Sequence, residues 1–171
     1  MATPTALPAT FVASTVLPAS DLNLLRGAFR VLQVVSTSTG TATLNNTVTY
    51  ADATNLTVSI TPTSSDSKVL VLCAVSTGHS AATGGFLRLL RGATVIGTDP
   101  MVWFYTGSTN SEYSGVSNSI IYLDSPATTS ATAYKIQFRS EGINGVTINR
   151  SYNGAAGQTM ASSITVFEIS A

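Results

Sequence analysis

The side chains of this chain that could do catalytic chemistry are few and widely spaced. The one histidine, His79, lies in the segment Thr77-Gly-His-Ser-Ala-Ala-Thr-Gly84, where Ser80 is the nearest possible nucleophile. A hydrolase built on this pair would need an activating partner and a nucleophile turn. The chain has no Gly-x-Ser-x-Gly motif and no second histidine. The sequence therefore favours an ordinary loop histidine over a catalytic one.

The acidic residues show no catalytic or metal-binding spacing. A glycosidase pair, with its carboxyl groups roughly 5 to 9 Å apart, would have to form across the fold, and nothing in the sequence selects one. Zinc sites need several Cys or His ligands, and calcium loops need clustered acids. We therefore expect no catalytic residue, no cofactor and no metal; the alternative is three copies of His79 meeting on a symmetry axis. The eight carboxylates are Asp21, Asp52, Asp66, Asp99, Glu112, Asp124, Glu141 and Glu168.

An aromatic segment, Met101-Val-Trp-Phe-Tyr-Thr-Gly-Ser-Thr-Asn-Ser-Glu-Tyr113, offers binding chemistry instead. Aromatic rings beside polar loops stack on sugars and hold protein partners. Trp103, Tyr105 and Tyr113 are thus candidate receptor contacts. The alternative is that Trp103 and Tyr105 fill the core or a subunit interface, which is the commoner use of large aromatic side chains.

The composition indicates an uncharged β protein. Only 9% of the 171 residues are charged, the formal net charge is zero, and 44% are hydrophobic. A typical soluble protein has about a quarter of its residues charged, so Thr, Ser, Asn and Gly must cover this surface. Threonine suits a pleated sheet, and Ser, Asn and Gly suit turns. The scattered basic residues argue against a nucleic-acid partner, and no apolar run approaches the roughly 18 residues of a membrane span. Cys73, within an apolar run, is predicted to be a core residue.

Two regions follow from the periodicity. Residues 1–30 are predicted to be an extended arm followed by one short helix, which Ser20 caps and which places Leu22, Leu25 and Phe29 on one face. Residues 31–171 contain short apolar runs separated by Gly, Pro, Asn, Asp and Ser. The absence of helical periods between the runs predicts an antiparallel β-sandwich or jelly roll.

We expect eleven strands in this second region. They are Val31 to Val35, Thr43 to Tyr50, Leu56 to Thr61, Lys68 to Ser76, Gly85 to Leu90, Thr94 to Gly97, Met101 to Tyr105, Ser117 to Leu123, Ala133 to Arg139, Gly145 to Arg150 and Met160 to Ile169.

Several blocks of the sequence resemble segments of bacteriophage virion proteins. They are Thr15-Val-Leu-Pro-Ala-Ser-Asp-Leu-Asn23, Ile60-Thr-Pro-Thr-Ser-Ser-Asp-Ser-Lys-Val-Leu70, Leu89-Leu-Arg-Gly-Ala-Thr-Val-Ile96, Leu123-Asp-Ser-Pro-Ala-Thr-Thr129 and Ser162-Ser-Ile-Thr-Val-Phe-Glu-Ile169. In these phage proteins the terminal domains are trimeric jelly rolls similar to the tumour-necrosis-factor fold. The resemblance implies a non-enzymatic structural protein of the virion, made in the cytoplasm of the bacterial host.

The resemblance leaves two positions on the virion open. The first is a homotrimeric short fibre, with residues 1–30 anchored to other tail or capsid proteins and an exposed knob that binds a glycan or protein of the host surface. The second is a capsid decoration or cement protein that stabilises the head; a free sugar-binding lectin is a third reading. The chain has no long repetitive shaft, which favours a stubby fibre or a decoration knob. The implied anchor or trimer-seam residues are Phe11, Leu17, Leu22, Leu25 and Phe29.

Overall fold

The computed structural model describes residues 30–79, 83–106, 115–142, 144–151 and 159–170. Within these ranges the chain is all-β, with antiparallel strands and no helix, which confirms the predicted class. The predicted arm, the short helix and the five anchor residues fall on residues 1–29, outside the described part of the chain.

Eleven strands form in the described ranges, each overlapping one predicted from the sequence. They are β1 (Val31–Thr39), β2 (Thr43–Asn45), β3 (Ala51–Ile60), β4 (Lys68–His79), β5 (Thr83–Arg91), β6 (Thr94–Ile96), β7 (Val102–Thr106), β8 (Gly115–Asp124), β9 (Thr132–Ser140), β10 (Val146–Ile148) and β11 (Ser162–Ile169).

The strands form two sheets. The six-stranded sheet has the order β1-β11-β4-β10-β2, and β8 pairs along the other edge of β4. The long β4 divides one edge between two partners, β11 along its first half and β10 at its end. The five-stranded sheet has the order β3-β9-β5-β6, with β7 also paired to β5. Strands β4 and β5 are consecutive in sequence but lie in different sheets.

The inner faces of the two sheets share one hydrophobic core. On β4, Val69, Val71 and Val75 are fully buried, and Tyr134 and Phe138 on β9 are fully buried in the other sheet. These residues alternate with less buried ones, as the two-residue period of a strand requires. Burying one such apolar side chain contributes about 1.5 to 3 kcal/mol, so this core is the main source of stability.

Cys73 lies on the same inward face of β4 and is 5% exposed, which confirms the prediction that it is a core residue. Burial raises the pKa of its thiol to about 12. The reactive form of cysteine is the thiolate, so this side chain acts as a small hydrophobe.

The turn predicted at Arg91-Gly92 joins β5 to β6. Arg91 pairs with Thr94 across a two-residue loop, and Gly92 has a φ of 59°. Tight hairpins need positive φ at such positions, and glycine adopts it without steric cost.

The second strand is shorter than the sequence predicted. Thr43 to Tyr50 was expected to be one strand, but β2 ends at Asn45. The Asn45 Oδ1 atom accepts hydrogen bonds from the backbone N and the hydroxyl of Thr47, and its Nδ2 atom donates to the carbonyl of Phe138. This side chain replaces the next ladder hydrogen bonds with a local turn, which is how asparagine competes with regular structure.

A Gly78→Ala variant is expected to lose about 1 to 3 kcal/mol of unfolding free energy. A Cβ atom at Gly78 would lie 2.4 Å from the carbonyl oxygen of Arg150 and 2.9 Å from the Cα of Ser151. Both are backbone atoms of the segment that follows β10, so the clash requires a shift of the chain. Chemical denaturation measures the loss. Gly142→Ala is the control, since a Cβ there meets nothing within 4 Å; equal losses in both variants would contradict the packing argument.

Candidate functional site

Trp103 and Tyr105 lie together on the outer face of the five-stranded sheet. They are 58% and 49% exposed, and they flank Phe104, which points inward and is buried. Their rings stack with centroids 6.0 Å apart and planes inclined by 21°. The alternative that these two aromatic side chains fill the core of the chain is therefore wrong. Tyr113, the third candidate contact, lies outside the described residues.

Next to this pair, Gly84 lets two polar side-chain groups approach the strand closely. Gly84 pairs with Tyr105 across β5 and β7. A Cβ atom at Gly84 would lie 2.6 Å from the Glu141 carboxylate Oε2 atom and 2.9 Å from the Trp103 Nε1 atom. The carboxylate and the indole N–H therefore both lean over the glycine. Within the described part of the chain neither group makes a hydrogen bond, so both are open to a ligand.

Two arginine side chains pack on aromatic rings beside Trp103 and Tyr105, on the same face of the sheet. Phe86 is the cross-strand neighbour of Trp103, and the guanidinium of Arg139 lies 4.0 Å from the centre of the Phe86 ring. The Arg139 guanidinium also lies 5.3 Å from the centre of the Tyr50 ring. The Arg88 guanidinium lies 3.8 Å from the centre of the same ring. Each cation–π contact at a partly exposed site contributes about 0.5 to 1 kcal/mol. These contacts restrict the Phe86 side chain, which lies beside Trp103 on the neighbouring strand.

Four of the charged side chains beside the aromatic pair form two ion pairs, Arg88 with Asp99 and Lys135 with Asp52. Asp99 accepts hydrogen bonds from the Tyr50 hydroxyl at 2.9 Å and from the Arg88 guanidinium at 3.0 Å. Asp52 accepts from Lys135 at 2.9 Å and from Gln137 at 2.7 Å.

The titration of these groups follows the same contacts. Burial and the hydrogen bond to Asp99 raise the pKa of Tyr50. Burial alone would raise the pKa of Asp52, but the hydrogen bonds from Lys135 and Gln137 lower it overall.

This surface, which we call the aromatic face, consists of Gly84, Phe86, Trp103, Tyr105 and Glu141. A chain with 8 basic and 8 acidic residues gathers six of them at or beside it. Those six are Asp52, Arg88, Asp99, Lys135, Arg139 and Glu141. Sequence reasoning found Trp103 and Tyr105 but missed Gly84, Phe86 and Glu141. Only the pairing register of β5 with β7 and β9 brings these residues together.

The outer face of the six-stranded sheet is different, because it is apolar. One row of paired residues runs across four strands, from Val34 to Phe167, Leu70 and Leu123. A second row places Leu72 beside Ile121. We call these six residues the apolar face. Val34, Ile121 and Leu123 are 52%, 72% and 57% exposed.

Towards the other end of the strands the same surface carries hydroxyl groups. Ser36 pairs with Thr165, and their side-chain oxygens lie 2.8 Å apart. Ser163 and Ser119 both pair with Ala74 in the next row. The apolar face is thus a patch at one end of the sheet rather than a property of the whole surface.

Two buried carboxylates accept hydrogen bonds from neighbouring side chains of the fold. Asp124, 5% exposed, accepts hydrogen bonds from Arg91 at 2.9 Å and from the Tyr134 hydroxyl at 2.7 Å. Burial, followed by the hydrogen bond to Asp124, raises the pKa of Tyr134 far above its usual range. Glu168, fully buried, accepts from Gln33 and Thr63.

In the described ranges no three His, Cys, Asp or Glu side chains group together as a metal site would require. The side chain of His79, at the end of β4, lies outside the described part.

Among the described residues, no helix has the length and apolar character needed to cross a membrane. No protein-family model matches the chain, and the comparison with curated proteins finds no match either.

Proposed function

We propose that this chain is a non-enzymatic structural protein of a bacteriophage virion: a homotrimeric short fibre anchored through residues 1–30, with the β domain exposed as a knob. The apolar face carries the proposal. Among the described residues it is an exposed apolar patch, in a chain whose composition is rich in hydroxyl and amide side chains.

Such a face favours assembly with copies of the same chain. Ile121 and Leu123 sit side by side with Leu70 and Leu72 and remain largely open in the single chain. Large exposed apolar patches mark interaction surfaces, and most soluble oligomers close with point-group symmetry. Three sandwiches that turn this face to a common axis bury all three patches. The threefold number comes from the resemblance to phage knob domains.

The jelly-roll topology belongs to the same proposal, and the strand order supports it. Six of the ten successive connections pass from one sheet to the other: β2 to β3, β3 to β4, β4 to β5, β7 to β8, β8 to β9 and β9 to β10. The first and last strands are neighbours, because β1 pairs with β11. Nested crossings of this kind are expected when two Greek keys wrap around one core.

The aromatic face favours the fibre over the decoration protein. It lies on the sheet opposite the apolar face, so a trimer built on the apolar face turns Trp103 and Tyr105 outward. A decoration protein has no need of exposed aromatic rings directed into solvent. A receptor-binding knob has that need.

The test is the position and number of copies of this chain on purified virions, measured by quantitative mass spectrometry and electron microscopy. A few trimers at the tail, or at a head-fibre socket, support the fibre. Hundreds of copies matching the capsid symmetry would replace it with the decoration protein, and absence from the particle would overturn both.

Deletion of residues 1–19 is expected to leave a folded trimer that no longer joins particles. An in-vivo complementation assay, with the full chain as control, measures incorporation. A truncated protein that still joins the particle would contradict the anchor assignment.

A further inference from the structure

We propose that the aromatic face is a binding site for neutral hexopyranosides, with Trp103 and Tyr105 as the stacking platform and Glu141 as the polar contact. The inference rests on the proposed function, since it names the receptor chemistry of the knob. Its test uses purified protein and does not depend on a particle.

The stacking geometry fits a pyranose ring. One side of such a ring carries C–H groups, which pack on the face of an aromatic side chain. The Trp103 and Tyr105 rings stack with planes inclined by only 21° and centroids 6.0 Å apart, so the stack offers an aromatic face to a sugar. Both side chains are about half exposed, which leaves this platform open to solvent.

Polar groups stand where the hydroxyls of a stacked sugar would reach. The Glu141 carboxylate can accept hydrogen bonds from sugar hydroxyls, and the Trp103 indole N–H can donate one. Both atoms lie within 3 Å of the position that a Cβ at Gly84 would take. The glycine thus lets the carboxylate and the indole N–H approach the strand and each other, and a side chain there would displace them.

The charges of the face select against acidic sugars. Asp52 and Asp99 are already paired with Lys135 and Arg88. Arg139 packs on the Phe86 and Tyr50 rings and keeps its positive charge. Glu141 makes no ion pair among the described residues, so its carboxylate next to Trp103 keeps its negative charge. A uronic or sialic acid would meet that charge and be repelled.

The one tryptophan of the chain makes the test direct, because its fluorescence reports on this site alone. We would titrate the purified protein with methyl β-D-galactopyranoside and methyl β-D-glucopyranoside, and with methyl β-D-glucuronide as the matched anion. A blue shift and protection from acrylamide quenching are expected with at least one neutral sugar. The expected dissociation constant is about 1 mM, as suits a small ligand on an open site.

Two variants test whether the sugar binds at Trp103 and Tyr105 beside Gly84. Tyr105→Ala keeps the fluorescent reporter and removes one of the two stacked rings, and Gly84→Ala displaces the Glu141 carboxylate and the Trp103 indole. Each is expected to weaken binding at least about tenfold. Glu141→Gln is expected to reduce discrimination against the glucuronide. Leu44→Ala is the control: its side chain is 47% exposed on the six-stranded sheet, and binding should not change. Circular dichroism checks that each variant is folded.

The outcomes separate this inference from the proposed function. No fluorescence response to either neutral sugar up to about 100 mM, an equal response to the glucuronide, or unchanged binding in both Tyr105→Ala and Gly84→Ala would each overturn the sugar site. None of these results affects incorporation into virions. Conversely, a chain that binds the neutral sugar but is absent from virions keeps the site and loses the proposed function.

Discussion

An Ile121→Glu variant is expected to be a folded monomer, whereas the unmodified chain is expected to have three times the 17.6 kDa mass of one copy. Ile121 is 72% exposed and pairs with Leu72 in the second row of the apolar face, on the edge strand β8. Because the side chain is open in the single chain, the change leaves the core intact. In a trimer it brings three carboxylates into an apolar contact, each costing several kcal/mol without a partner, so assembly should weaken at least about a thousandfold.

Light scattering after gel filtration measures the mass, and circular dichroism confirms the fold. The matched control is Ser59→Glu, which introduces the same charge at an exposed position on the other sheet. It should remain trimeric. An unmodified chain that is monomeric at high concentration would remove the basis for the trimer. Trimers in both variants would place the contact elsewhere on the chain.

If the apolar face is the trimer contact, the two outer surfaces of the sandwich have separate tasks. The six-stranded sheet is committed to assembly, and the five-stranded sheet is left for recognition. A weak sugar site then gains strength from repetition, because three linked sites engage a dense host surface together. Ile121→Glu should therefore leave the affinity for a monosaccharide unchanged and lower the affinity for a polymeric neutral glycan.

The strands could be predicted from the sequence because each carries its own signal. On β9, Tyr134, Ile136 and Phe138 alternate with Lys135 and Gln137, and the former are buried while the latter are partly exposed. This signal is local, since a strand with one wet face must alternate wherever it lies in the fold. The same applies to the Gly92 turn, where positive φ demands a particular residue type.

The candidate site could be predicted only in part, because its members are far apart in sequence. Trp103 and Tyr105 could be found as candidate contacts because they are aromatic residues beside polar ones within one short segment, although the sequence did not show that they are exposed. Gly84 and Glu141 join them only through the pairing of β5 with β7 and β9. Strand pairing over such separations is set by packing of the whole core, which a single sequence does not display.

Glu168, the most buried carboxylate among the described residues, also could not be predicted from the strand pattern. Glu168 continues the inward face of β11 after Ile164 and Val166, at a position where the strand pattern predicts an apolar residue. Its Oε2 atom accepts a hydrogen bond from Gln33 at 2.6 Å, and its Oε1 atom accepts two from Thr63 at 2.7 Å. Gln33 also donates to the carbonyl of Thr61. The carboxylate thus ties β1, β11 and the loop before β4 together at one end of the sandwich.

The charge of Glu168 contributes to stability in a defined pH range. Burial alone would raise the pKa of this carboxyl group, but the hydrogen bonds from Gln33 and Thr63 lower it to about 2, against 4.5 for a free side chain. The contribution is therefore complete above about pH 4.5 and is lost as the pH falls through about 2. A shift of this size corresponds to roughly 3 kcal/mol.

The free energy of unfolding of a Glu168→Gln variant at pH 7 should consequently be about 2 to 3 kcal/mol lower than that of its parent. The reason is that the glutamine amide turns a donor towards the donors of Gln33 or Thr63. The difference from the unmodified chain should shrink between about pH 4.5 and pH 2, since only the carboxylate loses its contribution on protonation. Urea denaturation in the monomeric Ile121→Glu background measures this without coupled dissociation. Glu141→Gln, the same chemical change at an exposed site, should stay within about 0.5 kcal/mol of its parent at every pH. A constant difference between Glu168→Gln and its parent from pH 7 to pH 2 would show that shape and not charge holds this end of the sandwich together.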